Sequence, residues 1–325
     1  MSDGLRSQTV LLAGATGYIG KYVCKTLLNR GFRVFSLGRS PTKSEVHQNF
    51  EHLSIDLCSS KVMEEFNKSN IQIDAVISCI GSRAGGRRDA WAVEYGANKN
   101  LLSFATKMGA KKFVLLSAIC VQKPKLEFQF AKIAFENELI GSGMSYSIVR
   151  PTAYFKSLAG QIEKLKAGKS FTIFGKGVGT ACKPISAQDL SDYICDCLEN
   201  PERRNKILPI GGPGPSITPV EQGEILFRLL NKNPKFTSIP SSMFRVISTT
   251  MAPLAMISEK ISDLREFVHI GHYYATESML LWDETLQKYS SDKTPEYGHE
   301  SLEDFYREVL NSGLGGHDLG DHKLF

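Results

Sequence analysis

"TVLLAGATGYIGKYVCKTLLNRG" occupies residues 9–31. Its opening, "TVLLAG", is apolar on both faces, the pattern of a strand buried in a parallel sheet. Its close, "IGKYVCKTLLNRG", has the apolar spacing of a helix. Between them stand Gly14, Ala15, Thr16, Gly17, Tyr18, Ile19 and Gly20. Gly14 and Gly17 allow a tight turn and a close approach of backbone to an anion. Gly20 lets the helix pack close to the sheet while its first N–H groups face that anion. Strand, glycine loop and helix in this order form the fingerprint of a dinucleotide pyrophosphate site.

The same alternation continues outward. Apolar runs recur at 33–38, 52–56, 75–81, 112–118 and 145–151, separated by helical patterns such as "NKNLLSFATKMGA". This predicts an α/β fold, a doubly wound parallel sheet of the Rossmann type. After "KILPIGGPGPSITP" (206–219) the pattern loosens into mixed helices and loops. The expected division is a dinucleotide-binding domain over 1–210 and a smaller substrate lobe over 211–325, folded back over the carboxyl edge of the sheet. No internal repeat or low-complexity linker interrupts the chain.

With 325 residues, 42% of them hydrophobic, the chain can bury a sizeable core. Its net charge of +5 comes from 39 basic and 34 acidic residues spread along the sequence, too diffuse for a nucleic-acid reader but suited to an anionic cofactor or a carboxylate-bearing substrate. The 7 cysteines are an odd number without C-x-x-C spacing, which points to reduced thiols in an intracellular protein. Because the first strand starts by residue 9, no signal or transit peptide is expected. The expected compartment is a bacterial cytoplasm, or a plastid stroma if a leader has been removed. "MFRVISTTMAPLAMIS" (243–258) is apolar, but it is shorter than the roughly 20 residues of a membrane span and contains Arg245 and Pro253. It reads as a buried or lid-like helix pair, with peripheral membrane contact as the alternative.

The G-x-x-G-x-x-G spacing of the loop resembles that of extended and atypical short-chain dehydrogenases. An NAD site usually has a carboxylate about 20 residues after the loop. Here "SLGRSPTK" supplies Arg39 and Lys43 instead, cations that suit a 2′-phosphate and favour NADPH. Asp56 and Leu57, closing the third strand, are candidates for the adenine end. Cys79, Ile80 and Gly81 end the fourth strand, where backbone lines the cofactor. Pro151 and Thr152 end the sixth, beside the expected nicotinamide amide.

"LLSAICVQKPKLEFQFAKIAFENEL" (115–139) resembles the stretch in which short-chain dehydrogenases keep a catalytic Ser and a Tyr-x-x-x-Lys pair. Ser117 and Lys132 are present, but Phe128 occupies the place of the tyrosine. In the usual enzymes both side chains project from one helical face; the lysine holds the ribose and the phenol exchanges a proton with the substrate oxygen. Phe128 cannot do so, which disfavours simple ketone reduction. A C=C bond conjugated to a large π-system needs no acid there, because the charge left by hydride addition spreads away.

Five blocks, "LLSAICVQKPKLEFQFAK", "SYSIVRPTAYFKSLAGQ", "CKPISAQDL", "KILPIGGPGPSITPVEQGEILFRLL" and "DKTPEYGHESLEDF", strongly resemble the NADPH-dependent 8-vinyl reductases of divinyl chlorophyllide or protochlorophyllide, an atypical branch of the short-chain dehydrogenases. The resemblance implies NADPH as cofactor, a tetrapyrrole substrate, and reduction of an 8-vinyl to an ethyl group in chlorophyll or bacteriochlorophyll biosynthesis. Lys132 is expected to be the catalytic-site lysine that positions the ribose, and Arg83, Phe128, Tyr154 and Phe155 are candidates for substrate contact. Plant members carry Phe at the place of Tyr154 and an N-terminal leader, so a bacterial relative is expected and an indispensable Tyr154 is not. Arg87 and Arg88, with Arg83, are candidates to meet a propionate, although loop arginines are more often solvated. His269 and His272, at i and i+3 with no third ligand nearby, read as structural, and no metal is expected. The rival reading from another class is a non-catalytic NADP(H) sensor or assembly protein that keeps the glycine loop.

Overall fold

A computed structural model describes residues 8–39, 47–59, 72–82 and 86–313. The dinucleotide-binding half begins with β1 (Thr9–Ala13), α1 (Tyr18–Asn29), β2 (Arg33–Gly38), β3 (Phe50–Ser54) and β4 (Ala75–Ser78). It continues with α2 (Arg87–Ala90), a π-helical turn (Trp91–Ala97), α3 (Asn98–Lys107), β5 (Lys112–Leu116), α4 (Glu127–Gly141) and β6 (Ser145–Pro151). Next come α5 (Ile162–Lys166), β7 (Phe171–Phe174), α6 (Ala187–Glu199), β8 (Lys206–Ile210), α7 (Pro219–Leu229) and β9 (Phe236–Ile239). The chain then forms α8 (Ser242–Ala255), α9 (Glu259–Thr276), β10 (Leu281–Asp283), β11 (Lys288–Ser290) and α10 (Leu302–Ser312).

Seven strands form one parallel sheet in the order β3-β2-β1-β4-β5-β6-β8. Strand order reverses between β1 and β4, the crevice where a doubly wound sheet binds its ligand. The period of two in each strand separates the core into two layers. Val10, Leu12, Val34 and Ile77 face α1 and α6, meeting Val23, Leu27, Leu190 and Ile194. Leu11, Phe35, Val76 and Phe113 face the other way, meeting Leu101, Phe104, Phe135 and Leu139 of α3 and α4. The strands were apolar throughout in the sequence because both layers bury them.

A third cluster gathers Phe155, Ile162, Phe171, Leu226, Phe227 and Tyr306. Within it β7 pairs with β9, so residues before 211 and after 211 share this smaller core. A fourth cluster joins Ile119, Cys120, Leu126, Ile270, Tyr273 and Met279, packing the end of α9 onto the carboxyl edge of the main sheet.

The α8–α9 hairpin contains the apolar segment 243–258. Its inner face packs, with Phe244 against Phe174 at 5.0 Å between ring centroids, but only Ser248 of α8 is fully buried. Val246, Met256 and Ile257 are exposed, so burial holds for one face of the hairpin and not for the whole segment. Among the described residues, no helix is long and apolar enough to cross a membrane.

Candidate cofactor and active site

The loop after β1 has no room for side chains where the glycines stand. Gly14 takes φ +84°, and a β-carbon there would lie 2.5 Å from the carbonyl oxygen of Cys79. Gly17 donates its N–H to the Gly14 carbonyl at 3.0 Å and caps α1 in an extended conformation. Ala15 is buried, Thr16 exposed, and Tyr18 and Ile19 open a helix with no acidic residue in its first turn. The partial positive charge of that helix end is therefore not neutralised locally, and it suits a pyrophosphate. A cradle this close to the end of β4 fits the dinucleotide that the glycine spacing predicts.

Arg39 leaves β2 exposed at the same edge, its carbonyl accepting from Ser54 Oγ at 3.4 Å. Lys43 and Arg83 lie outside the described residues. Asp56 spends one carboxylate oxygen on the Cys58 N–H at 3.0 Å, and the Leu57 carbonyl accepts from Asn100 at 2.9 Å. Cys79 is tied to β1 through its N–H to the Ala13 carbonyl at 2.9 Å. Burial pushes its thiol up to about 12 against the opposing charge of Lys132, so it is a neutral wall rather than a nucleophile. Ile80 is partly buried and Gly81 exposed at the strand end. Pro151 and Thr152 are buried; Thr152 donates its hydroxyl to the Lys183 carbonyl and its N–H to the Ile210 carbonyl.

The stretch at 115–139 folds as a strand end facing α4. Lys132 and Glu136 are one turn apart on that helix, and the strand presents Ser117 to both. Ser117 donates its hydroxyl to Glu136, whose carboxylate also pairs with Arg150. Its only proton is thus committed to Glu136. Phe128 packs in the apolar cluster of Ile119, Cys120 and Met279, together with Ala118 and Tyr274. The place of the usual phenol is apolar.

Lys132 is 13% exposed, and its ammonium donates to Glu94 Oε2 at 2.7 Å. Glu94 Oε1 accepts from the Ser82 N–H at 2.8 Å. The sequence reading missed Glu94, because a carboxylate inside a helical pattern looks like a solvated face. Only the π-helical turn brings it inward.

Tyr154 is partly buried 6.2 Å from the Tyr18 ring, and burial, then the neighbouring Cys79, Cys120 and Glu94, raise its phenol. Phe155 points elsewhere: it is 2% exposed in the lobe core against Phe305. Tyr274, from α9, was also missed. Burial and the nearby Cys120, Tyr273 and Tyr154 hold its phenol well above the ordinary value. It reaches the Phe128 cluster from 142 residues downstream of Lys132, a contact no local pattern announces.

The hairpin is held over this edge by polar contacts. Arg88 pairs with Glu259 at 2.6 Å, Arg87 with Glu127 at 3.6 Å, and the Glu127 N–H reaches Glu266 at 3.1 Å. Of the three arginines weighed for a propionate, Arg87 and Arg88 are thus engaged with protein carboxylates. His269 shares a hydrogen bond with Ser248, and His272 lies against Phe244 at 6.1 Å.

Residues 14–201 match a family model described as NAD(P)H-binding. The chain is 46% identical, over 98% of its length and 80% of the relative's, to the chloroplastic divinyl chlorophyllide a 8-vinyl-reductase of Cucumis sativus. It is 45% identical to the corresponding enzyme of Arabidopsis thaliana, over 96% of this chain and 79% of that one. Among solved structures, the UDP-glucose 4-epimerase of Thermotoga maritima superposes with a TM-score of 0.69 at 17% identity, covering 96% of this chain and all of the other, a likeness of fold alone. With a glycine loop built for a dinucleotide and a phenylalanine beside the retained lysine, the chain belongs to the divinyl chlorophyllide a 8-vinyl-reductase family, within the NAD(P)H-binding proteins of Rossmann fold.

Proposed function

We infer that this chain uses NADPH to reduce the 8-vinyl group of divinyl chlorophyllide a to ethyl. The observation that carries the reading is Phe128 in its apolar cluster one turn before Lys132, in a chain akin to these reductases over nearly its whole length. When bound, NADPH would supply the hydride for the terminal vinyl carbon, with the electron pair dispersed into the macrocycle and a proton added at the adjacent carbon to give the ethyl group.

The protein's part is placement. Loop 14–20 holds the pyrophosphate, and Arg39, with Lys43, pairs with the 2′-phosphate. Asp56 and Leu57 meet the adenine, and Cys79, Ile80 and Gly81 back the nicotinamide half beside Pro151 and Thr152. Lys132 holds the ribose. Stacking pigment over nicotinamide supplies acceleration through orientation. Phe128 and Tyr154 wall the pigment, together with Tyr274, which takes the place first expected of Phe155. The main-sheet part of residues 1–210 serves the dinucleotide, and 211–325, together with the stretch from Phe155 to Phe174 that shares their core, shape the pigment side, with the exposed face of the α8–α9 hairpin as the part that touches a membrane surface. The working compartment is a plastid stroma, in keeping with the names of the plant relatives, or a bacterial cytoplasm.

Incubating the protein with NADPH and divinyl chlorophyllide a tests the reading. The Soret band is expected to shift to shorter wavelength as the vinyl group leaves conjugation, with no turnover of a simple ketone or aldehyde. An unchanged pigment spectrum alongside ready aldehyde reduction would sink the reading. Tight NADPH binding with no turnover of any kind would favour the sensor.

A further inference from the structure

The π-helical turn Trp91–Ala97 carries Glu94 into the interior, where its side chain is 4% exposed. Such turns insert one residue, change which face the following side chains occupy, and recur at functional sites. A buried carboxylate costs several kcal/mol unless it is paired and hydrogen-bonded. Glu94 is both. Oε2 accepts from Lys132 at 2.7 Å, and Oε1 accepts from Ser82 N–H at 2.8 Å and Ser82 Oγ at 3.1 Å. The turn is itself clamped, because Asn98 donates to the Glu94 carbonyl at 2.9 Å and accepts from Ser78 at the end of β4.

One carboxylate therefore spans the loop that leaves β4 and the lysine of α4. Apolar residues of equal volume would serve stability as well or better at a buried ion pair. What the pair adds is direction. A lysine has a flexible four-carbon stem and three donors, and with one donor given to Glu94 the other two are aimed.

We propose that Glu94 is a positioning residue for the reduction: it orients the Lys132 ammonium and the 79–82 loop together toward the ribose and nicotinamide end of the dinucleotide. This rests on the reading above that Lys132 faces the cofactor.

The test measures NADPH affinity by fluorescence of the bound cofactor without pigment, then kcat and KM with divinyl chlorophyllide a, on the full chain. Glu94→Gln keeps an acceptor for Ser82 but loses the charge opposite Lys132. It is expected to weaken NADPH binding about tenfold, within the coupling range of contacting residues, and to lower kcat more than it changes KM for the pigment. Glu94→Asp, which keeps the charge, recovers part of the loss. In a Lys132→Met background, Glu94→Gln is expected to cost less than about twofold, because its partner is already gone. The double variant leaves no unpaired buried charge, and its melting curve controls for folding.

Additive losses in the two backgrounds, or wild-type affinity in Glu94→Gln, overturn the proposal. Unchanged NADPH affinity in Lys132→Met removes it together with the assignment of Lys132 to the cofactor. A non-additive NADPH cycle in a protein that leaves the pigment untouched supports the proposal and sinks only the pigment reading.

Discussion

A β-carbon at Gly20 would lie 2.0 Å from the carbonyl oxygen of Gly14. The first turn of α1 is therefore pressed onto the phosphate loop, and the neighbour is backbone that cannot rotate aside. Gly20→Ala must push the helix start off the loop. It is expected to weaken NADPH binding by about tenfold or more while the far-ultraviolet circular dichroism stays native. Wild-type affinity in this variant would show that the loop does not hold the pyrophosphate.

Arg39 stands exposed at the end of β2, on the same edge as that loop. If its guanidinium pairs with the 2′-phosphate, Arg39→Ala lowers affinity for NADPH by about tenfold, the worth of one charge-assisted hydrogen bond, and leaves NADH binding as it was. Equal losses for both cofactors would assign Arg39 a general electrostatic part and move the 2′-phosphate contact elsewhere.

Much of this was legible beforehand because it is local. The run at 33–38 is strand β2 and the run at 145–151 is strand β6, residue for residue, while that at 52–56 begins two residues before its expected start, at Phe50. Period and burial on both faces leave little choice there. Glu94 and Tyr274 were not legible. The first depends on a single inserted helical residue, and the second on how a distant hairpin docks. The pairing of β7 with β9 was missed for the same reason, since neither four-residue strand signals its partner.

Phe128 packs among Ile119, Cys120 and Met279. Phe128→Tyr restores the phenol that ordinary short-chain dehydrogenases use, but buries a hydroxyl in that cluster. The variant is expected to lose about 1–3 kcal/mol of stability unless the hydroxyl finds a partner, and to gain no pigment turnover. Steady-state rates and denaturant midpoints check both. A large rise in kcat would mean that an acid at this position does serve the reaction.

Ser117 donates to Glu136, which is 1% exposed and paired with Arg150. Ser117→Ala removes one hydrogen bond to a charged acceptor that keeps its stronger partner. The expected cost is about 1–2 kcal/mol in unfolding free energy with kcat little altered. A loss of kcat at unchanged stability would place the hydroxyl in the reaction instead.

Glu277 follows α9 and ties it to the segment bearing Phe128. Burial opposes its charge, but hydrogen bonds from Lys125 and Tyr289, and the charges of Lys125 and Lys123, hold its carboxyl below the ordinary value. A carboxylate whose folded value is lowered contributes stability that is complete above the unfolded value, near 4, and disappears as pH falls through the folded one. Wild type and Glu277→Gln should therefore differ most in denaturant midpoint at neutral pH and converge once pH has fallen below the folded value. Because the same contacts seat α9, and with it Tyr274, beside Phe128, pigment turnover in the wild type should fall in step with the lost stability. A gap between the two proteins that stays constant from neutral to acidic pH would show that Glu277 contributes through packing rather than through its charge.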